Sequence, residues 1–124
     1  MNIPGRTIQK AEVLITDPFP RGGDGMFLRA QLLAITGTQD AGLTIDVYTR
    51  NAEDNSGWNA ITGATLLMDA GVGDIFELHV PPSADANEGI EEQLRLNITG
   101  DADAAFTIRI FPPLFYDAAI GDIA

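Results

Sequence analysis

Residues 93–117 read QLRLNITGDADAAFTIRIFPPLFYD, and apolar and polar positions alternate in both halves of the stretch. Leu94, Leu96 and Ile98 point one way, and Arg95, Asn97 and Thr99 the other. Beyond Gly100-Asp101-Ala102-Asp103, Phe106, Ile108 and Ile110 repeat the pattern against Thr107 and Arg109. Successive side chains of a strand leave opposite faces, so a period of two predicts strands with one buried and one wet face. The two halves and the acidic turn between them predict an antiparallel hairpin, ended by Pro112-Pro113 and an aromatic cluster.

Similar runs recur upstream at even spacing. Residues 11–16 (AEVLIT) predict a strand ended by Asp17-Pro18-Phe19-Pro20, since proline cannot donate to a ladder. Arg21-Gly22-Gly23-Asp24-Gly25 reads as a flexible loop or hinge. Residues 26–36 (MFLRAQLLAIT) are more apolar and predict a strand buried on both faces at its end. In residues 43–50, Leu43, Ile45 and Val47 alternate with Thr44, Asp46 and Tyr48. Residues 61–69 give a weaker strand, and residues 74–80 another, with Phe76, Leu78 and Val80 on one face. Residues 60–68 and 83–92 lack a sustained 3.6-residue period and read as strands or turns. The pattern predicts an all-β fold, an antiparallel β-sandwich or jelly roll of about 7–8 strands. Its expected parts are an extended N-terminal arm over residues 1–10, a sandwich over 11–117 and a short tail over 118–124.

At 124 residues the chain is one domain by length, with enough core to need no metal or disulfide staple. It has no cysteine, which removes disulfides, thiolate nucleophiles and zinc ribbons together. Seven basic residues face eighteen acidic ones, a net charge of −11, so the molecule's field repels phosphate backbones and nucleic acid is not an expected partner. No run approaches the ~18 apolar residues that span a bilayer. The N-terminus lacks a secretory pattern, so synthesis and retention in a cytoplasm, with no membrane partner, are expected.

Chemistry is thin. The single histidine, His79, falls beside Ile75 and Glu77 on the polar face of its strand, and Ser56 and Ser83, the two serines, lie in loops. No Ser–His–Asp arrangement emerges, and paired carboxylates carry no signal among eighteen acids. Asp101-Ala102-Asp103 and Asp85-Ala86-Asn87-Glu88 alternate oxygen ligands, but neither continues into a calcium loop. The glycines at 22–25 lack the lysine and helix of a phosphate cradle. Asn97-Ile98-Thr99 is a sequon in mid-strand without a secretory signal. The expectation is a protein that is not an enzyme, with no catalytic residue, cofactor or metal.

Surfaces carry more. Arg6 and Lys10 place two of the seven basic residues in the first ten positions, and a proline-broken basic arm suits a neighbouring subunit. Phe111, Leu114, Phe115 and Tyr116 either cap an open end of the sandwich or form an apolar interface with another copy. Trp58, in a polar loop with Asp54 nearby, has the makings of a ligand platform.

The segments GLTIDVYTR at 42–50, the loop at 51–58 and above all residues 94–117 resemble the small β-sandwich decoration (cement) proteins of tailed bacteriophages. The resemblance implies a non-enzymatic structural protein on the capsid surface of the virion. It implies a homotrimer whose partner is the major capsid protein, bound only to the mature, expanded head and stabilising it across capsomer junctions. Each contact can be weak, because a symmetric lattice multiplies them. On that reading Ile3, Arg6, Ile8 and Lys10 of the arm grip the capsid, and Phe111, Leu114, Phe115 and Tyr116 form the trimer or core-closing surface. The rival expectation is a carbohydrate- or receptor-binding sandwich of a phage tail, or a lectin-like protein, using Trp58.

Overall fold

The computed structural model describes residues 1–51, 57–69, 71–82 and 90–117. Among these there is no helix, and ten strands are formed. They are β1 (Ile3–Ile8), β2 (Val13–Ile15), β3 (Phe19–Pro20), β4 (Gly25–Gly37), β5 (Leu43–Arg50), β6 (Asn59–Met68), β7 (Ile75–Val80), β8 (Gln93–Thr99), β9 (Ala104–Ile110) and β10 (Leu114–Tyr116). All pairings are antiparallel, and the strands divide into two five-stranded sheets. In the first, β4 lies at the centre between β7 and β9, with β1 outside β9 and β10 continuing along β4 beyond β9. In the second the order is β2-β8-β5-β6, with β3 continuing β2 along β8. The strand total exceeds the expected seven or eight because β1, β3 and β10 are short segments around prolines.

The core is the alternation made physical. Leu28, Ala30 and Leu32 of β4 and Phe106, Ile108 and Ile110 of β9 are fully buried, as are Leu43, Ile45 and Val47 of β5 and Leu94, Leu96 and Ile98 of β8. Each of these Leu, Ile, Val and Phe side chains is stabilised by about 1.5–3 kcal/mol relative to exposure, which is what clamps the two sheets together. His79 falls on the exposed face of β7, opposite Leu78 and Val80, as its parity predicts.

Four expectations are corrected. First, β8 and β9 are not a hairpin: β8 belongs to one sheet and β9 to the other, so residues 100–103 arch across the sandwich. Alternation fixes which face a strand buries, not which strand it pairs with, and these two bury their apolar faces against each other from opposite layers. Among consecutive strands only β5 and β6 pair directly. Second, the extended N-terminal arm is not confirmed, because residues 3–8 form β1, paired with β9 at the sheet edge. Ile8 is the reason, a core residue opposite Phe106 that draws the segment in. Third, the end of β4 is not buried on both faces. A register shift between Leu32 and Ala34 turns Leu33 outward at 37% exposure, and β7 covers β4 only as far as Gln31. Fourth, Gly22 and Gly23 lie in a loop between β3 and β4, as expected, but that loop is a tight cradle rather than a flexible hinge. A β-carbon at Gly22 would meet the Phe115 ring at 2.9 Å, and one at Gly23 the Tyr116 carbonyl oxygen at 2.6 Å. Only glycine lets β10 lie that close.

One carboxylate ties the sheet-crossing connections together. Asp101 is 1% exposed. Its oxygens accept backbone N–H groups from Asp40 and Gly42, in the β4–β5 connection, and from Asp103 and Ala104, in its own arch. Its carbonyl oxygen accepts from Ala11 at 2.8 Å, and Gly100 N–H donates to Glu12 at 2.7 Å, so the β1–β2 corner joins the same knot. Burial raises the Asp101 pKa, but the four donors outweigh it and the carboxyl is held below its ordinary value. Asp101 is therefore a structural clamp, with its carboxylate oxygens engaged by backbone N–H groups.

Candidate functional site

The fold leaves three surfaces that could carry function. The first is the margin where β1 edges one sheet and β2 and β3 edge the other. The two strands leave a common corner at residues 9–12 and flank a groove of about 510 Å³, lined by Met1, Ile3 and Arg6 on one side and Leu14, Ile15 and Phe19 on the other. Val13 and Ile15 of β2 stand out from the margin at 59% and 49% exposure. Of the expected gripping residues, Ile3 and Arg6 line this groove and Lys10 is exposed at the corner, whereas Ile8 is buried in the core.

The outer face of the β1–β9–β4–β7 sheet is the second. The aromatic cluster is split by the alternation of β10. Phe115, opposite Met26, packs inward against the core. Tyr116 turns outward to His79 and the Phe27 ring, and Phe27 stacks on His79 with centroids 4.5 Å apart. Leu114 is exposed at 52%. Phe111 lies under two guanidiniums, with Arg109 at 4.7 Å and Arg29 at 5.6 Å from its centroid. Four residues expected to act as one surface thus divide between core closure and a solvent face.

Trp58 anchors the third, on the outer face of the other sheet. Arg50 of β5 and Arg95 of β8 place their guanidinium carbons 4.6 and 4.7 Å from its ring centroid. The strands impose this: Tyr48 pairs with Arg95 and Arg50 with Gln93, so the four side chains rise together from adjacent strands. Arg95 also lies 5.6 Å from the Tyr48 ring, and Arg50 Nε donates to Gln93 Oε1 at 2.8 Å. Trp58 is half-buried and at least one ring face is occupied by arginine, so it is a support for guanidiniums rather than a bare platform. Asp54, expected beside it, lies outside the described residues. Sequence reading missed the arginines because Arg50 and Arg95 are far apart in the chain and meet only through the β5–β8 pairing.

Four of the seven basic residues are therefore stacked on aromatic rings, two on each outer face. Among the described residues no group of three or more His, Asp or Glu side chains is placed to hold a metal. No protein family, no curated protein and no solved structure matches this chain.

Proposed function

We propose that the chain is a structural adhesion module of the capsid-decoration kind, docking on a major capsid protein through the β1–β2 margin and acting as a homotrimer on the virion surface. One observation carries the reading. Val13 and Ile15 project from a sheet edge beside a groove lined by both apolar and polar residues, and exposed apolar residues clustered at an unpaired edge are costly unless covered by a partner. The all-β sandwich and the sequence resemblance support the same reading. Arg6 and Asp17 at the groove supply the polar contacts that fix register at such a margin.

Because β1 belongs to the sheet, deleting the N-terminus would damage the fold, and point variants are the sounder test. The wild-type protein should co-sediment with expanded tailed-phage heads and not with unexpanded precursors. Val13→Asp combined with Ile15→Asp should abolish sedimentation while leaving the far-ultraviolet circular dichroism of the sandwich intact. Wild-type protein that stays in the supernatant with expanded heads would overturn the proposal.

A further inference from the structure

We infer that the Arg50–Trp58–Arg95 cluster is a binding site for a sugar carboxylate, a uronate or a sialate, on the outer face of the β2–β8–β5–β6 sheet. The inference is independent of the decoration reading and involves a different face of the molecule.

The groups the cluster offers are chiefly hydrogen-bond donors. Guanidiniums are donors only. Gln93 Oε1 accepts from Arg50 Nε, which engages one of its two lone pairs, and its NH2 adds a donor. Tyr48 adds a hydroxyl on the same face, in register with Arg95. The result is a group of donors at the Arg50 end of this face, with the acceptors Asp46 and Asn97 paired further along the same two strands, and the complement of that donor end is a compact group of acceptor oxygens. A carboxylate has that form and meets a guanidinium fork in two parallel bonds.

The cluster is also preorganised. Ring stacking fixes two long side chains that would otherwise lose rotamer freedom on binding. The Arg95 guanidinium lies between the Trp58 and Tyr48 rings, and its Nε is buried without a hydrogen-bond partner. Trp58 is thus a positioning residue, and the two arginines are the binding groups. Residues 52–56, which include Glu53 and Asp54, lie outside the described residues.

Charge decides between a small acid and an acidic protein. An acidic protein surface must bring many negative charges against a chain of net charge −11. A monoanionic sugar brings one charge to the place where two cations converge, and charges beyond about 8 Å are largely screened at physiological salt. The apolar C–H faces of a sugar also suit the exposed part of the Trp58 ring.

Trp58 is the only tryptophan of the chain, so its emission reads the site directly. The full chain should be titrated with glucuronate, N-acetylneuraminate, the methyl esters of both, and poly-L-glutamate. The expected result is a saturable emission change with one or both acids, weakened roughly tenfold or more on esterification and by Arg95→Gln, the loss of a charged hydrogen bond. Arg50→Lys keeps the charge but not the fork and should weaken binding roughly fivefold with unchanged circular dichroism, which keeps the test valid if Arg95→Gln fails to fold. Arg29→Gln, on the opposite sheet, should leave binding unchanged. No saturable change with either acid, equal response to acid and ester, tighter binding of poly-L-glutamate, or an equal loss with Arg29→Gln would each overturn the site.

Discussion

The ring of Tyr116 lies on the backbone of Gly25 so closely that a β-carbon there would sit 2.3 Å from the ring's Cζ. The two residues are paired across β10 and β4, and the Tyr116 hydroxyl continues to His79 on β7. Gly25→Ala must therefore push β10 outward or turn the ring away from His79. Overpacking of this kind costs about 1–3 kcal/mol, read as a lower urea midpoint at constant m. In a Tyr116→Ala background the same glycine substitution should cost measurably less, because its obstacle is gone. Equal penalties in the two backgrounds would show that the ring is not what confines Gly25.

Asp101 ties the stability of the fold to pH. Its pKa is lowered in the folded state, since burial is outweighed by four backbone donors, whereas an unfolded aspartate titrates at about 3.9. The folded state thus holds its proton less tightly than the unfolded one. The stabilisation is fully present above the unfolded pKa and is lost as pH falls through it toward the folded value. Asp101→Asn should lower stability at neutral pH and flatten the acid limb of a stability–pH profile below about pH 5. Wild-type and variant curves that stay parallel through that range would contradict the assignment.

What could be read from the sequence, and what could not, follows from the range of the interactions. Residues 43–50 were readable as a strand because alternation is local, and β5 spans Leu43–Arg50. The pairing of β8 and β9 was not readable, because period two says only which side is apolar. β1 was hidden by Pro4-Gly5, which breaks the alternation between Ile3 and Ile8. The Asp101 clamp was illegible because its partners Asp40 and Gly42 lie 61 and 59 positions away. The tryptophan was visible as a candidate, but its meaning changed once β5 and β8 brought two arginines to it.

The facing assignment makes a quantitative contrast. Leu96 is fully buried on β8, and Leu114 is 52% exposed on β10. Leu96→Ala should cost about 2–5 kcal/mol through lost transfer energy and a residual cavity between the sheets. Leu114→Ser should stay within about 0.5 kcal/mol, as surface changes do. Similar denaturation midpoints for the two variants would mean that the β8 face is wrongly assigned.

The β1 edge shows how the chain limits unwanted pairing. Its ladder to β9 slips between Ile3 and Arg6, so Pro4 and Gly5 bulge out of register, and Pro4 has no N–H to offer a neighbouring strand. Bulges and prolines at an edge are devices against sheet-to-sheet association. Replacing Pro4-Gly5 by Val-Thr would supply a β-branched pair and one more donor along an exposed margin. The double variant should keep its sandwich spectrum yet self-associate, with a light-scattering mass that rises with protein concentration. Arg6→Val on top of it should strengthen the effect by removing the charge that follows the bulge. If the Val-Thr variant keeps the wild-type mass at every concentration, the bulge exists for some reason other than guarding the edge.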